Sequence, residues 1–279
     1  MTVSSLIRGT PNDADVAREL LQYEVVRSIF VKSTEREIAL KGGFAMRALF
    51  GSARHTKDID LQHDARRANL ARTQTLIRSA IRNAVATGIL EDVRISEPKQ
   101  TDTVARWKIG GRTVGGSQVA LTIEVSRRPM PGDDCLTRME MQPPAEIGGA
   151  LVMVDTYSAD AMAGAKTIAL LSENRLAPRD LWDLDILITM RAEPPPHMID
   201  HLRTERARQA LFDKLDTMSW KLFREEVLPT LPAGVAEALD RDAFEEMKVR
   251  VALAVEKWLA DGDRSPDRRP DNQEPGPTP

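Results

Sequence analysis

With 279 residues, 42% of them apolar, the chain is long enough for one large domain or two small ones around a substantial core. Its net charge of −3 gives no overall attraction for nucleic acid, and its single cysteine, Cys135, excludes an internal disulfide framework and a cysteine-rich zinc site. No run approaches the roughly 18 apolar residues that a bilayer span needs and the N-terminus lacks a charged-then-apolar leader, so a cytoplasmic protein without membrane contact is expected.

From about Asp13 to Lys32 the apolar residues Ala17, Leu20, Leu21, Val25, Ile29 and Phe30 recur at helical spacing, with Asp13 as N-cap. Ile38 to Leu40 reads as a short strand entering the turn Gly42-Gly43, Phe44 to Leu49 as a helix behind it, and Asp58 to Leu61 as the next strand. In that strand alternate side chains share a face, so Asp58 and Asp60 project together while Ile59 and Leu61 point into a core. Two carboxylates about 4 Å apart repel by roughly 4 kcal/mol at an effective dielectric near 20, which a divalent cation or a shared proton relieves. Oxygen-only ligation suits Mg²⁺, which takes one or two carboxylates together with substrate phosphates. The glycine turn lets backbone N–H groups approach phosphate oxygens because no Cβ intervenes.

Ala65 to Thr87 reads as a helix carrying Arg66, Arg67, Arg72, Arg78 and Arg82, either a positive surface suited to RNA or a solvated face. Thr103 to Ile109 and Gln118 to Ser126 read as paired strands joined by the glycine-rich segment 110–116. In the second, Leu121, Ile123 and Val125 share one face and Thr122, Glu124 and Ser126 the other, so Glu124 is either a third acid beside Asp58 and Asp60 or a half-exposed surface residue. After a last short strand at Leu151 to Val154 the pattern becomes helical: Ala159 to Ser172, Arg179 to Met190, Met198 to Leu215, Trp220 to Val227 and Arg241 to Leu259. Lys166 is the only charge between Asp160 and Glu173, and on so apolar a helix it must reach water, a carboxylate or a phosphate. Asp180, in a first turn opened by Pro178, complements the helix dipole, and Asp183 shares its face. The two either form a further acidic site or bond Arg175 and Arg179.

The string Leu40-Lys41-Gly42-Gly43, followed by Arg54, Thr56, Asp58 and Asp60, resembles the first motif of the nucleotidyltransferase superfamily, and more narrowly the AbiEii-type toxins of type IV toxin-antitoxin systems. The segment from Lys166 through Ala169-Leu170 and Arg175 to Arg179-Asp180 and Asp183-Leu184 resembles a second block of the same family. Phe44 stands where that family commonly has Thr or Ser and the spacer before Asp58 is a residue longer, so no hydroxyl contact is carried over there.

The resemblance implies an α+β fold: a mixed-sheet nucleotidyltransferase core over residues 1–155, then a helical domain over 156–260 that completes the cleft. The Pro- and Asp-rich segment 261–279 reads as a disordered tail. It further implies that Asp58, Asp60 and Glu124 hold Mg²⁺, that Lys41, Gly42, Gly43 and Lys166 hold the phosphates of an NTP, and that Arg54 steadies the leaving pyrophosphate. At least one of Asp180 and Asp183 is implied to be needed for activity. The implied acceptor is an RNA 3′ end, tRNA foremost, and the implied partner a separately encoded antitoxin. A small-molecule or protein hydroxyl as acceptor, and a non-catalytic nucleotide- or partner-binding module, are the alternatives.

Three other features rank low. His197 and His201 stand one helical turn apart as in a zinc peptidase, but no glutamate follows the first and no third ligand is evident. Cys135 lacks support as a nucleophile, and His55 and His63 are expected at the surface. Trp182, Trp220 and Trp258 sit at spacings suited to core packing.

Overall fold

The computed structural model describes residues 13–144, 151–173 and 175–260; the expected tail lies outside them. Helix α1 (Asp13–Phe30) precedes β1 (Ile38–Lys41), α2 (Gly42–Leu49), β2 (Asp58–His63) and α3 (Leu70–Ala86). Strands β3 (Glu91–Gln100), β4 (Val104–Arg112), β5 (Gln118–Ser126), β6 (Leu136–Met141) and β7 (Val152–Tyr157) follow. Beyond β7 every described element is helical: α4 (Ala159–Leu171), α5 (Pro178–Thr189), α6 (Pro196–Ile199), α7 (Glu205–Thr217), α8 (Trp220–Glu226), α9 (Ala233–Glu237) and α10 (Arg241–Ala260), with short 3-10 turns between some of them.

The strands form one mixed sheet in the order β3-β4-β5-β2-β1-β7-β6. Its centre is the most apolar part: Ile38, Ala39 and Leu40 of β1, Ile59 and Leu61 of β2, and Leu121, Ile123 and Val125 of β5 are fully or almost fully buried. Helix α1 packs on α3 and β5. Burial of the odd residues of β2 and β5 leaves the even ones on the opposite face, as their alternation predicts. Two registers then place charged groups side by side: antiparallel β1 and β2 set Lys41 across from Asp60, and parallel β2 and β5 set Asp60 across from Glu124.

The helical part has its own aromatic core, in which Trp220 and Phe223 stack at 5.8 Å and Phe223 and Phe244 meet at 5.0 Å. It is bound to the segment between α2 and β2. Trp182 Nε1 donates to Ser52 Oγ at 3.2 Å, and the His55 amide donates to the Thr230 carbonyl at 2.7 Å.

Several expectations are corrected. Strand β3 has almost every side chain exposed, so no apolar alternation marks it. The helix expected from Ala65 begins at Leu70, because the Asn69 side chain accepts the Arg72 amide at 2.8 Å and caps it there. The helix expected over 198–215 is broken, and Thr204 caps a new one by accepting the Ala207 amide. The arginine-rich surface is largely neutralised: Arg66 meets Asp64 at 2.7 Å, Arg67 Asp133 at 2.8 Å, Arg72 Glu37 at 2.9 Å and Arg78 Glu97 at 2.7 Å. His63 is buried rather than exposed, with Nδ1 3.0 Å from Thr73 Oγ1, and His55 is part-buried against Glu19.

Candidate active site

A cleft of about 420 Å³ opens between the β1-α2-β2 unit of the sheet and helices α4 and α5. Both sequence blocks line it. From the first come Lys41, Gly42, Gly43, Arg54, Thr56, Asp58 and Asp60; from the second Lys166, Arg175, Arg179 and Asp180. Six cationic side chains, Arg128 among them, face three acidic ones.

Gly42 has φ +71°, and a Cβ built there would fall 2.1 Å from Asp60 Oδ2. Only glycine fits, for both conformational and steric reasons. A Cβ on Gly43 would stand 3.0 Å from both Arg54 Nη2 and Thr56 Oγ1, so this turn brings backbone against the acids and the arginine together. Burial, and then the charge of Asp58, push the Asp60 carboxyl above the usual carboxylate range. Burial likewise pulls Lys41 below the usual ammonium value, with Asp60 and Glu124 opposing it. Lys41 Nζ donates to Gln62 Oε1 at 2.8 Å and lies 5.7 Å from the Tyr157 ring centroid.

The donor set fits a hard divalent cation. Asp58 and Asp60 are adjacent carboxylates, one of them destabilised by its burial and by its neighbour, and an oxygen-ligated ion relieves that conflict. Glu124 is brought to Asp60 by the sheet register, but its carboxylate is held by Arg106, whose Nε donates at 3.0 Å, and it does not line the cleft among the described residues.

The second block folds into a buried ionic brace. Lys166 does not run out to solvent; its Nζ donates to Asp180 Oδ1 at 3.2 Å and to Asp183 Oδ2 at 2.5 Å. Arg175 Nε donates to Asp180 Oδ2 at 2.7 Å. Burial would raise the Asp180 carboxyl, but Lys166 and Arg175 outweigh it and hold the group below its ordinary value. Asp183 is fully buried and accepts from Arg54 Nη2 at 3.0 Å, which carries the brace across to the first block. Of the two alternatives for the aspartates, the structure supports the cation-paired one, with Arg54 joining Arg175 as a partner and Arg179 lining the cleft instead. Sequence reasoning missed Arg128. It lies just past the end of β5, whose pairing with β2 turns the following residues toward the acids, and its position beyond a strand bearing a candidate acid was the available signal.

Residues 26–250 match the family model described as nucleotidyl transferase AbiEii toxin, type IV TA system. The chain belongs to this family. No curated protein sequence matches it. Among solved structures, the AbiEii-family chain is similar to JHP933 from Helicobacter pylori, with TM-score 0.55 and 18% identity over 89% of this chain and 95% of that one. It is also similar to MenT4, a nucleotidyltransferase toxin of Mycobacterium tuberculosis, with TM-score 0.52 and 14% identity over 93% of this chain and 97% of that one. Those likenesses show the fold, and the family match shows a toxin nucleotidyltransferase.

Proposed function

We propose that this AbiEii-family chain transfers a nucleoside monophosphate from an NTP to an RNA 3′ end, tRNA foremost, in a Mg²⁺-dependent reaction that makes it a toxin restrained by a separately encoded antitoxin. The observation that carries the reading is the charge layout of the cleft, where two neighbouring acids face an excess of lysine and arginine. A triphosphate needs that pairing: cations for its oxygens and acids for its counter-ion. Bound Mg²⁺ would be held by Asp58 and Asp60 and would supply charge neutralisation at the phosphates.

The chain's own residues do the rest. Backbone amides at Gly42 and Gly43 sit at the start of α2, where the helix dipole and the lack of Cβ atoms favour phosphate oxygens. Lys41, Arg128 and Arg179 bind and orient the polyphosphate, while Lys166 and Arg54 present a positive wall fixed by Asp180 and Asp183. The acid-paired Arg54 and Lys166 cannot swing away, so their charge is preorganised for the developing pyrophosphate.

Incubation with each labelled NTP, Mg²⁺ and total RNA, beside an Asp58→Ala/Asp60→Ala control, tests this. Label in the tRNA fraction that the control loses is expected. Label confined to protein or to a small metabolite would overturn the acceptor, and equal label with the control would overturn catalysis at this site.

A further inference from the structure

Away from the cleft, the 3-10 turn Asp133–Cys135 that leads into β6 meets the short helix α6. Cys135 is fully buried, and its amide is fixed to the Gly132 carbonyl at 3.0 Å. His197, paired in sequence with His201, has another companion in space: its Nε2 lies 3.4 Å from Cys135 Sγ, while His201 lines a different cavity. One ligand atom from each of Asp134, Cys135 and His197 lies within 4.8 Å of the others. In a tetrahedral zinc site with Zn–S about 2.3 Å and Zn–N about 2.05 Å, sulfur and nitrogen stand about 3.6 Å apart. The observed sulfur–nitrogen separation therefore needs only a small adjustment.

We propose that Asp134, Cys135 and His197 form a zinc-binding site, with water in the fourth position, that fastens α6 to the edge of the sheet. One thiolate, one carboxylate and one neutral imidazole balance the charge of Zn²⁺ and exclude Mg²⁺ or Ca²⁺ by the softness of sulfur. His197 and Asp134, with side chains 50% and 67% exposed, give the ion a path from solvent to the buried sulfur. The ion displaces the thiol proton to solvent, so a charge that burial alone would forbid arises only with its counter-ion in place. Met198, next to the ligand histidine, packs its Sδ 3.7 Å from Cys135 Sγ and closely against Gly164, where a Cβ would come within 3.3 Å of it. The site thus stiffens the contact between α6 and α4, the helix that carries Lys166.

The test uses the full chain stripped of metal, titrated with zinc against a chromophoric indicator and with Co²⁺ followed by absorbance. His197→Gln and Asp134→Asn alter exposed positions, and an Asp58→Asn/Asp60→Asn variant silences the cleft acids. The wild type and the cleft variant are expected to bind about one equivalent of zinc, with a higher melting temperature and a sulfur-to-cobalt charge-transfer band. His197→Gln is expected to lose about 100-fold or more in affinity while melting like the metal-free wild type. Absence of zinc binding in the wild type, equal binding by His197→Gln, or a cobalt complex without the thiolate band would each overturn the proposal. None of these readouts depends on nucleotide transfer.

Discussion

Replacing Asp183 with alanine tests the ionic brace most directly. Asp183 is fully buried and is the shared partner of Arg54 Nη2 at 3.0 Å and Lys166 Nζ at 2.5 Å, so the substitution leaves two buried cations facing each other with less counter-charge. At about 3 Å and an effective dielectric of about 20, each pair is worth roughly 5 kcal/mol of gross attraction, much of it offset by desolvation already incurred on folding. Removing one partner of a buried pair costs about 3–5 kcal/mol, since the remaining charge stays buried. At about 2–4 °C per kcal/mol, the melting temperature should fall by about 6–20 °C. Urea denaturation should show the same loss in midpoint with an unchanged slope. Lys166 keeps Asp180, so the double variant Asp183→Ala/Arg54→Met, which also removes the orphaned guanidinium, should recover part of that loss. If Asp183→Ala unfolds within about 1 kcal/mol of the wild type, or the double variant is less stable by the sum of the single effects, the brace does not carry the energy assigned to it.

Three further outcomes follow from the same geometry. Because Asp60 has its carboxyl raised in the folded protein, the metal-free fold binds that proton more tightly than the unfolded chain does. Its contribution is complete below the unfolded value of 3.8 and is lost as pH rises through the higher folded value, so Asp60→Asn should raise metal-free stability at neutral pH while abolishing transfer. Pairwise urea titrations across pH check this, and an unchanged pH profile would count against it. Gly42→Ala should cost about 1–2 kcal/mol for its left-handed backbone and, by displacing the Asp60 carboxylate, about 100-fold in turnover; near-normal turnover would show that the close approach is not needed. Arg106→Gln should free Glu124 and lower the Mg²⁺ concentration needed for activity, with less than about 1 kcal/mol of stability change because the pair is partly exposed. An unaltered Mg²⁺ requirement would leave Glu124 without a part in metal binding.

The central unit was the most legible portion of the fold. Its strand β1 is a short, wholly apolar run up to Leu40, β2 alternates over Asp58 to Leu61, and its glycines stand where a reversal leaves no space for a side chain, so local pattern sufficed for Ile38 to Leu61. The even face of β5 was legible for the same reason, but whether Glu124 meets metal or arginine depends on which strand lies beside it, and β4 brings Arg106 directly opposite. Strand β3 was invisible because an exposed edge strand needs no apolar period, only a partner for its backbone. The arginines of the segment from Arg66 to Arg78 looked unpaired because their acids come from Glu37, Glu97 and Asp133, far away along the chain, and from Asp64 before the helix began.

By itself the sequence determined the strand-turn-helix-strand order of the central unit, the helical run beyond β7, the face on which Asp58 and Asp60 stand, and the family to which both blocks point. Such features repeat over a few residues and follow from backbone period and sterics. Only the tertiary structure decided who neutralises whom: Lys166 with Asp180 and Asp183, Arg54 with Asp183, Glu124 with Arg106. The physical reason is that an ionisable group removed from water must find its counter-charge through space, and sheet register and helix packing, which no local spacing encodes, bring that partner within reach.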